Sequence, residues 1–190
     1  MTNDADRLRL LQIARHAITA HATGAPTPAV DAAWLPSRRG GAFVTLHKSG
    51  ELRGCIGHLE ANDLLTKVVA RCAVAASSAD PRFPAIGHTE LSLIEIEISL
   101  LGAFEQIDGP AEVEIGRHGL LVEHGRRRGL LLPQVAVEWK WDAATFLNQT
   151  CHKAGLPPEG WRNGAIAWRF EAEVFSEPHG PSRWSTTRPS

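Results

Sequence analysis

The tightest constraint in this chain is a hairpin pattern over residues 42 to 56. Two β-rich runs are separated by Lys48-Ser49-Gly50, a three-residue loop whose last position wants a left-handed glycine. Opposing His47 to Glu51 places Ala42, Val44, Leu46, Leu52, Gly54 and Ile56 on one face. Phe43, Thr45, His47, Glu51, Arg53 and Cys55 take the other. The first face is apolar and belongs to a core; the second is mixed and carries a thiol.

The second strand closes on Leu52-Arg53-Gly54-Cys55-Ile56-Gly57, which brings a thiol, a cation and two glycines together. Side chains two apart on a regular strand project to the same side, so Arg53 is expected beside Cys55, where a guanidinium favours the thiolate. That makes Cys55 a candidate nucleophile. The competing reading is an inert, packed cysteine, covered by a helix over Phe43. Gly54 and Gly57 permit close approach of a ligand, or equally of another element. Arg82 stands in Asp80-Pro81-Arg82-Phe83-Pro84, a cation on a loop stiffened by two prolines, with ligand-binding and ion-pairing roles both open. His118 sits in the turn Gly116-Arg117-His118-Gly119, where flanking glycines are expected to expose a side chain that titrates near neutral pH.

The remaining elements follow from periodicity. Residues 6 to 21 read as a helix with Leu10, Leu11, Ala14, Ala17 and Ile18 on one face. Residues 24 to 41, with Pro26, Pro28 and Pro36, read as a surface connection. A helix is expected from about Asn62 as N-cap, with Cys72 inside its apolar stripe, ending before Asp80. Leu93 to Leu101 alternates strictly, which predicts a half-buried strand with Glu95 and Glu97 in solvent. Residues 111 to 115 read as a further strand, and 120 to 123 with 128 to 132 as a second hairpin, Arg126-Arg127-Arg128 falling at its loop. Asp142 caps a helix to residue 154 with Ala144, Leu147, Cys151 and Ala154 inward, stopped by Gly155-Leu156-Pro157. Residues 165 to 175 read as a closing strand with Ile166, Trp168, Phe170, Ala172 and Val174 on one side, before a polar tail at 178 to 190.

Composition excludes several classes of function. A net charge of −1 over 190 residues gives no general attraction to nucleic acid or to anionic lipid, and no apolar run suits a membrane span. Three widely spaced cysteines argue for reduced thiols rather than a disulfide framework, and the polar N-terminus has no secretory build, so a cytoplasmic location is expected. There is no Cys-x-x-Cys, no His-Glu-x-x-His and no glycine-rich phosphate loop, so neither cofactor nor metal is expected. Cys55, His58, His88, His118 and His124 are the pool from which a metal site would have to be built.

Six segments taken together resemble the AMMECR family, whose prokaryotic members are called AmmeMemoRadiSam system protein A. They are residues 41 to 46, the hexapeptide 52 to 57, residues 80 to 84, Gly116-Arg117-His118-Gly119-Leu120, Leu131-Leu132-Pro133-Gln134-Val135 and Lys153-Ala154-Gly155-Leu156-Pro157. The resemblance runs from about residue 8 to residue 177, with the whole chain read as a single domain of this type. It implies an α+β fold: an antiparallel sheet with helices packed against it, in two unequal lobes of one compact unit. It also implies a system shared with a Memo-type protein and a radical S-adenosylmethionine protein, and it brings no reaction with it. Two functions are therefore carried forward. One is a binding or accessory component, with a small anionic ligand or a partner's segment held around Arg53, Gly54, Cys55, Gly57, Arg82 and His118. The other is an enzyme with Cys55 as nucleophile and His118 or His58 as base.

Overall fold

The computed structural model describes residues 2–26, 38–59 and 63–177. Asn62, most of the proline-rich connection and the tail from 178 lie outside the described residues. The fold is α+β with antiparallel strand pairing, and the chain divides into two units. The first runs to Leu100 and resumes at Glu173; the second is Leu101–Ala172.

In the first unit, α1 (Asp4–Thr23) starts where the Asn3 side chain accepts from the Asp6 N–H, and ends at Gly24 with positive φ. β1 (Ala42–Lys48) and β2 (Glu51–His58) form the expected hairpin, but with a shorter turn. Ser49 and Gly50 both have positive φ, the signature of a two-residue turn whose twist matches that of the strands. Lys48 therefore pairs with Glu51 and His47 with Leu52, not with Glu51 as expected. A β-bulge follows, because Leu46 pairs with Gly54 and leaves Arg53 as the extra residue. Beyond the bulge Thr45 faces Cys55 and Val44 faces Ile56, so Gly54, Cys55 and Ile56 keep their expected faces. Leu52, expected in the core, instead lies opposite His47 and is exposed, and Glu51 lies opposite Lys48.

The helix α2 (Leu65–Ser78) opens at Leu64 with no side-chain cap and ends before Asp80 as expected. A 3-10 segment (His88–Leu93) leads into β3 (Ile94–Leu101), which pairs with β1 on the side away from β2. Alanine, valine and leucine of β1, the even-numbered isoleucines of β3 and the inner faces of α1 and α2 make one core, with Cys72 in it. Burial pushes the Cys72 thiol up to about 11. The other face of β3 is not wet: Ser99 is 1 % exposed and Glu97 is half-buried, whereas alternation had placed Glu95 and Glu97 in solvent.

In the second unit, β4 (Glu105–Ile107) and β5 (His118–His124) lie on either side of β7 (Ile166–Ser176), and β6 (Arg127–Leu131) pairs with β5. The end of β7 from Glu173 belongs to the first unit. Two short helices cover this part: α3 (Pro133–Glu138), with Pro133 in its first turn, and α4 (Ala143–Lys153), capped by Asp142 on the Thr145 N–H. Phe146, Leu147, Thr150 and Cys151 point into the second core, while Ala144 is exposed. Residues 111 to 115 do not form the expected strand. Pro110 starts a 3-10 turn, and the N–H groups of Glu112 and Val113 turn back to Gly109 and Pro110. The expected one-sided pattern of β7 also fails: Ala167 and Phe170 are buried and Ile166 and Val174 are exposed, since the strand changes neighbours along its length. Among the described residues no helix is long and apolar enough to cross a membrane.

Candidate functional site

Cys55 sits on β2, whose outer edge has no neighbouring strand among the described pairings. Its backbone would leave an N–H and a C=O unpaired there, and two side chains of the loop after α2 meet both. Asp80 Oδ2 accepts the Cys55 N–H at 2.9 Å, and Arg82 Nη2 donates to the Cys55 carbonyl at 3.4 Å. The same aspartate takes Arg82 Nε at 3.0 Å, Nη2 at 2.7 Å and the Arg82 backbone N–H at 3.1 Å. One carboxylate and one guanidinium thus replace a partner strand over a single residue, covering the edge that sheets otherwise expose. Asp80 is 4 % exposed, and the Arg82 guanidinium holds its carboxyl well below the usual range.

The thiol itself is half-buried, and Thr45 Oγ1 donates to its sulfur at 3.4 Å. Arg53 takes no part in this. Its Nε and Nη2 go to Glu90 at 3.4 and 3.1 Å, and its Nη1 to the Pro84 carbonyl at 2.8 Å. The bulge gives the reason: with Arg53 the unpaired residue, the two-residue spacing to Cys55 no longer sets its direction. Lys48 also reaches Glu90, at 2.8 Å, and these two cations hold the Glu90 carboxyl at about 2. Arg53 and Arg82, the two cations expected to receive an anion, each already face a carboxylate.

The glycines have packing partners. A Cβ at Gly54 would land on the Ala76 carbonyl of α2, and one at Gly57 on the ring of Phe43. Gly54 lets the helix reach the sheet, and Gly57 lets the ring lie across the strand.

Register also shows what else shares the face of Cys55. Thr45 pairs with Cys55 on one side and with Glu97 on the other, so thiol, hydroxyl and carboxyl form one row across three strands. His47 and Glu95 face each other in the next row, and Phe43 and Ser99 in the row on the other side. Burial raises the Glu97 carboxyl and lowers His47, the latter partly offset by Glu95. His58, three residues from Cys55, shares the opposite face with Ala42 and is exposed.

His118 belongs to the second unit. It is buried at 8 % exposure rather than displayed in a turn, because β5 begins with it and it pairs with Glu171. Its Nδ1 accepts the Glu114 N–H at 3.0 Å, which leaves the proton of the neutral ring on Nε2. Burial, with Arg169 and Arg117 close by, lowers its pKa. It lines a cavity of about 710 Å³ within this unit, together with Glu105, Glu114, Arg169 and Glu171. Among the described residues no three of His, Cys, Asp and Glu come together as a metal-binding group.

Residues 11–175 match the AMMECR1 family. The chain belongs to that family. A protein of Methanothermobacter thermautotrophicus is 43% identical over 177 residues, covering 88% of this chain and 92% of its own length. One from Methanococcoides burtonii is 46% identical over 142 residues, 72% of this chain and 71% of that protein. The crystal structure of an uncharacterized protein from Pyrococcus horikoshii is 38% identical and superposes with a TM-score of 0.81, covering 89% of this chain and 90% of that one. Within this AMMECR1 chain, reading from sequence misses two residues at the site, Asp80 and Glu90, and places a third, Glu97, in solvent. Asp80 had a signal, since Asp before Pro at the end of a helix commonly turns its carboxylate onto nearby N–H groups. Glu90 had none.

Proposed function

We propose that this AMMECR1 chain is a binding and accessory component that seats a small anionic ligand or a partner's segment beside Cys55, and that it works with Memo-type and radical S-adenosylmethionine proteins. The observation that supports the reading most is the clamp on Cys55. Of the three thiols it alone is half-buried rather than buried, and its backbone is held on both polar groups by Asp80 and Arg82. Holding a residue this firmly at a strand edge is what a preorganised contact needs. Arg82 Nη1 donates to nothing among the described residues, and its side chain is 54% exposed, so it is the donor left for an incoming acceptor. Asp80 already balances its charge, so recognition here rests on directed hydrogen bonds and depends little on salt. Arg53 acts from behind, tying the loop that carries Pro84 and Glu90 to β2.

Protection of Cys55 from iodoacetamide, followed peptide by peptide, is the test. Inorganic phosphate, acetate, or purified Memo-type or radical S-adenosylmethionine protein from the same genome should slow its labelling. Cys55→Ser should weaken association with those proteins about tenfold. No protection by any of the four, with association unchanged in Cys55→Ser, removes the reading.

A second reading, Cys55 as nucleophile, is favoured by the hydroxyl that Thr45 directs at its sulfur. The histidine on its face is then His47, in place of the His58 and His118 first considered.

A further inference from the structure

The row that crosses β2, β1 and β3 goes beyond binding. Cys55 on β2 meets Thr45 on β1 through a hydrogen bond at the sulfur, and the other cross-strand partner of Thr45 is Glu97 on β3. Directly paired residues on one sheet face have Cβ atoms about 5 Å apart, within the reach of a glutamate on a threonine hydroxyl. Glu97 is half-buried and, among the described residues, has no hydrogen-bond or ion-pair partner. Ser99 projects from the same face two residues on. Its Oγ is fully buried and, among the described residues, also lacks a partner, a combination that native interiors seldom leave unmet. A thiol, a hydroxyl that touches it, an unpaired carboxyl and an orphaned hydroxyl therefore share one face.

We propose that Glu97 is the proton acceptor for Cys55, reached through Thr45, and that the face receives a small carbonyl compound with a polar group that meets Ser99. The Thr45 hydroxyl, which donates to the sulfur at rest, turns to the Glu97 carboxylate; the thiol proton then passes to Thr45 Oγ1 as the hydroxyl proton of Thr45 passes to Glu97. The thiolate forms an S–C bond to the carbonyl carbon, and the π pair moves to the carbonyl oxygen. The proton held on Glu97 then returns by the same route to that oxygen, so the adduct is a neutral hemithioacetal or hemithioketal and no oxidant is consumed.

Burial supports the assignment, since it raises the Glu97 carboxyl towards the thiol range and makes the transfer less uphill. The charged groups around Glu97 do not replace it. Glu95 and His47 face each other in the next row. The Asp80 carboxylate is taken by Arg82 and by the Cys55 N–H on the edge of β2 away from β1, and Glu173 in β7 and Glu177 just after it are bound to Arg7 and Arg15.

The test is peptide-resolved alkylation of Cys55 by iodoacetamide from pH 5 to 9 in the full chain. The variants are Glu97→Gln, Thr45→Val and the conservative Thr45→Ser. Glu97→Gln and Thr45→Val should each slow Cys55 labelling about tenfold or more between pH 6 and 7. The gap should close towards pH 9, where hydroxide takes the proton directly. Thr45→Ser should keep the wild-type profile. Cys72 and Cys151, both buried, report the fold: they stay unlabelled in any variant that folds. If Glu97→Gln exposes them, the contrast between Thr45→Val and Thr45→Ser decides. Folded Glu97→Gln or Thr45→Val protein with the wild-type profile overturns the relay. Phosphate protection of Cys55 is read separately, so the binding proposal stands or falls on its own.

Discussion

At the scale of single residues, the hexapeptide divides into positions that pack and one that is presented. Gly54 and Gly57 look alike in sequence, yet their neighbours differ in stiffness. At Gly54 an added Cβ meets the backbone carbonyl of Ala76 inside α2, which cannot yield without moving the helix; at Gly57 it meets the Phe43 ring, which can rotate. Gly54→Ala should therefore cost about 3 kcal/mol and Gly57→Ala about 1 kcal/mol, as read from urea unfolding midpoints. Equal losses would show that the helix and the ring yield alike. The face that Cys55 occupies was legible because two one-residue register changes, one at the shorter turn and one at the bulge, cancel beyond Arg53; between them, at Glu51 and Leu52, the expected faces are exchanged. The direction of Arg53 was not legible, since an unpaired residue in a bulge has lost the geometry from which the spacing rule derives. Nor was the burial of Glu97 and Ser99. Alternation tells which residues share a face, and it does not tell whether that face is wet.

At the scale of elements, the long strands and helices were readable because several local signals agreed in each. In α1 the cap, the acidic first turn, the apolar face and the terminal glycine all point one way. Asn3→Ala removes one of these signals and leaves the packed face intact. It should lower stability by about 1 kcal/mol without changing the denaturant slope, measured by urea unfolding. A change in slope would mean that the cap holds more than the first turn. Short elements were harder. Residues 111 to 115 alternate like a strand, but Pro110 fixes a turn and the N–H groups are used locally. The helix α3 has only six residues, too few for a period to appear, although Pro133 at its start was a usable sign. His118 was misplaced for a related reason: its flanking glycines suggested a display turn. Gly119 is there because a side chain would strike Phe170 and the Leu131 carbonyl as β5 enters the sheet.

At the scale of the whole molecule, the titrating groups pull stability in opposite directions with pH, and the site residues lie on both sides. Glu90 is held from its ordinary 4.5 down to about 2 by Lys48 and Arg53, and Asp80 is depressed further by Arg82. A carboxyl with a depressed folded value contributes stability that is complete above its unfolded value and is lost as pH falls through the folded one. For Glu90 that window runs from about 4.5 down to about 2. Glu97 has the opposite sign, because burial raises its folded value. Its stabilising contribution is present below the unfolded value and is lost as pH rises through the folded value, so at neutral pH its ionisation is a cost. The two signs separate in one experiment, urea unfolding of wild type, Glu90→Gln and Glu97→Gln at pH 7, 5, 4 and 3. Glu90→Gln should be less stable than wild type at pH 7, with the difference shrinking as pH falls below about 4.5. Glu97→Gln should be more stable than wild type at pH 7, and its gain should vanish near pH 4, where both folded and unfolded chains carry the proton. A Glu97→Gln chain less stable than wild type at neutral pH would mean that the carboxylate is held by a partner and is not free to take a proton from Cys55. The expected gain would fit a chain that gives up stability to keep an unpaired acid on the face of its thiol.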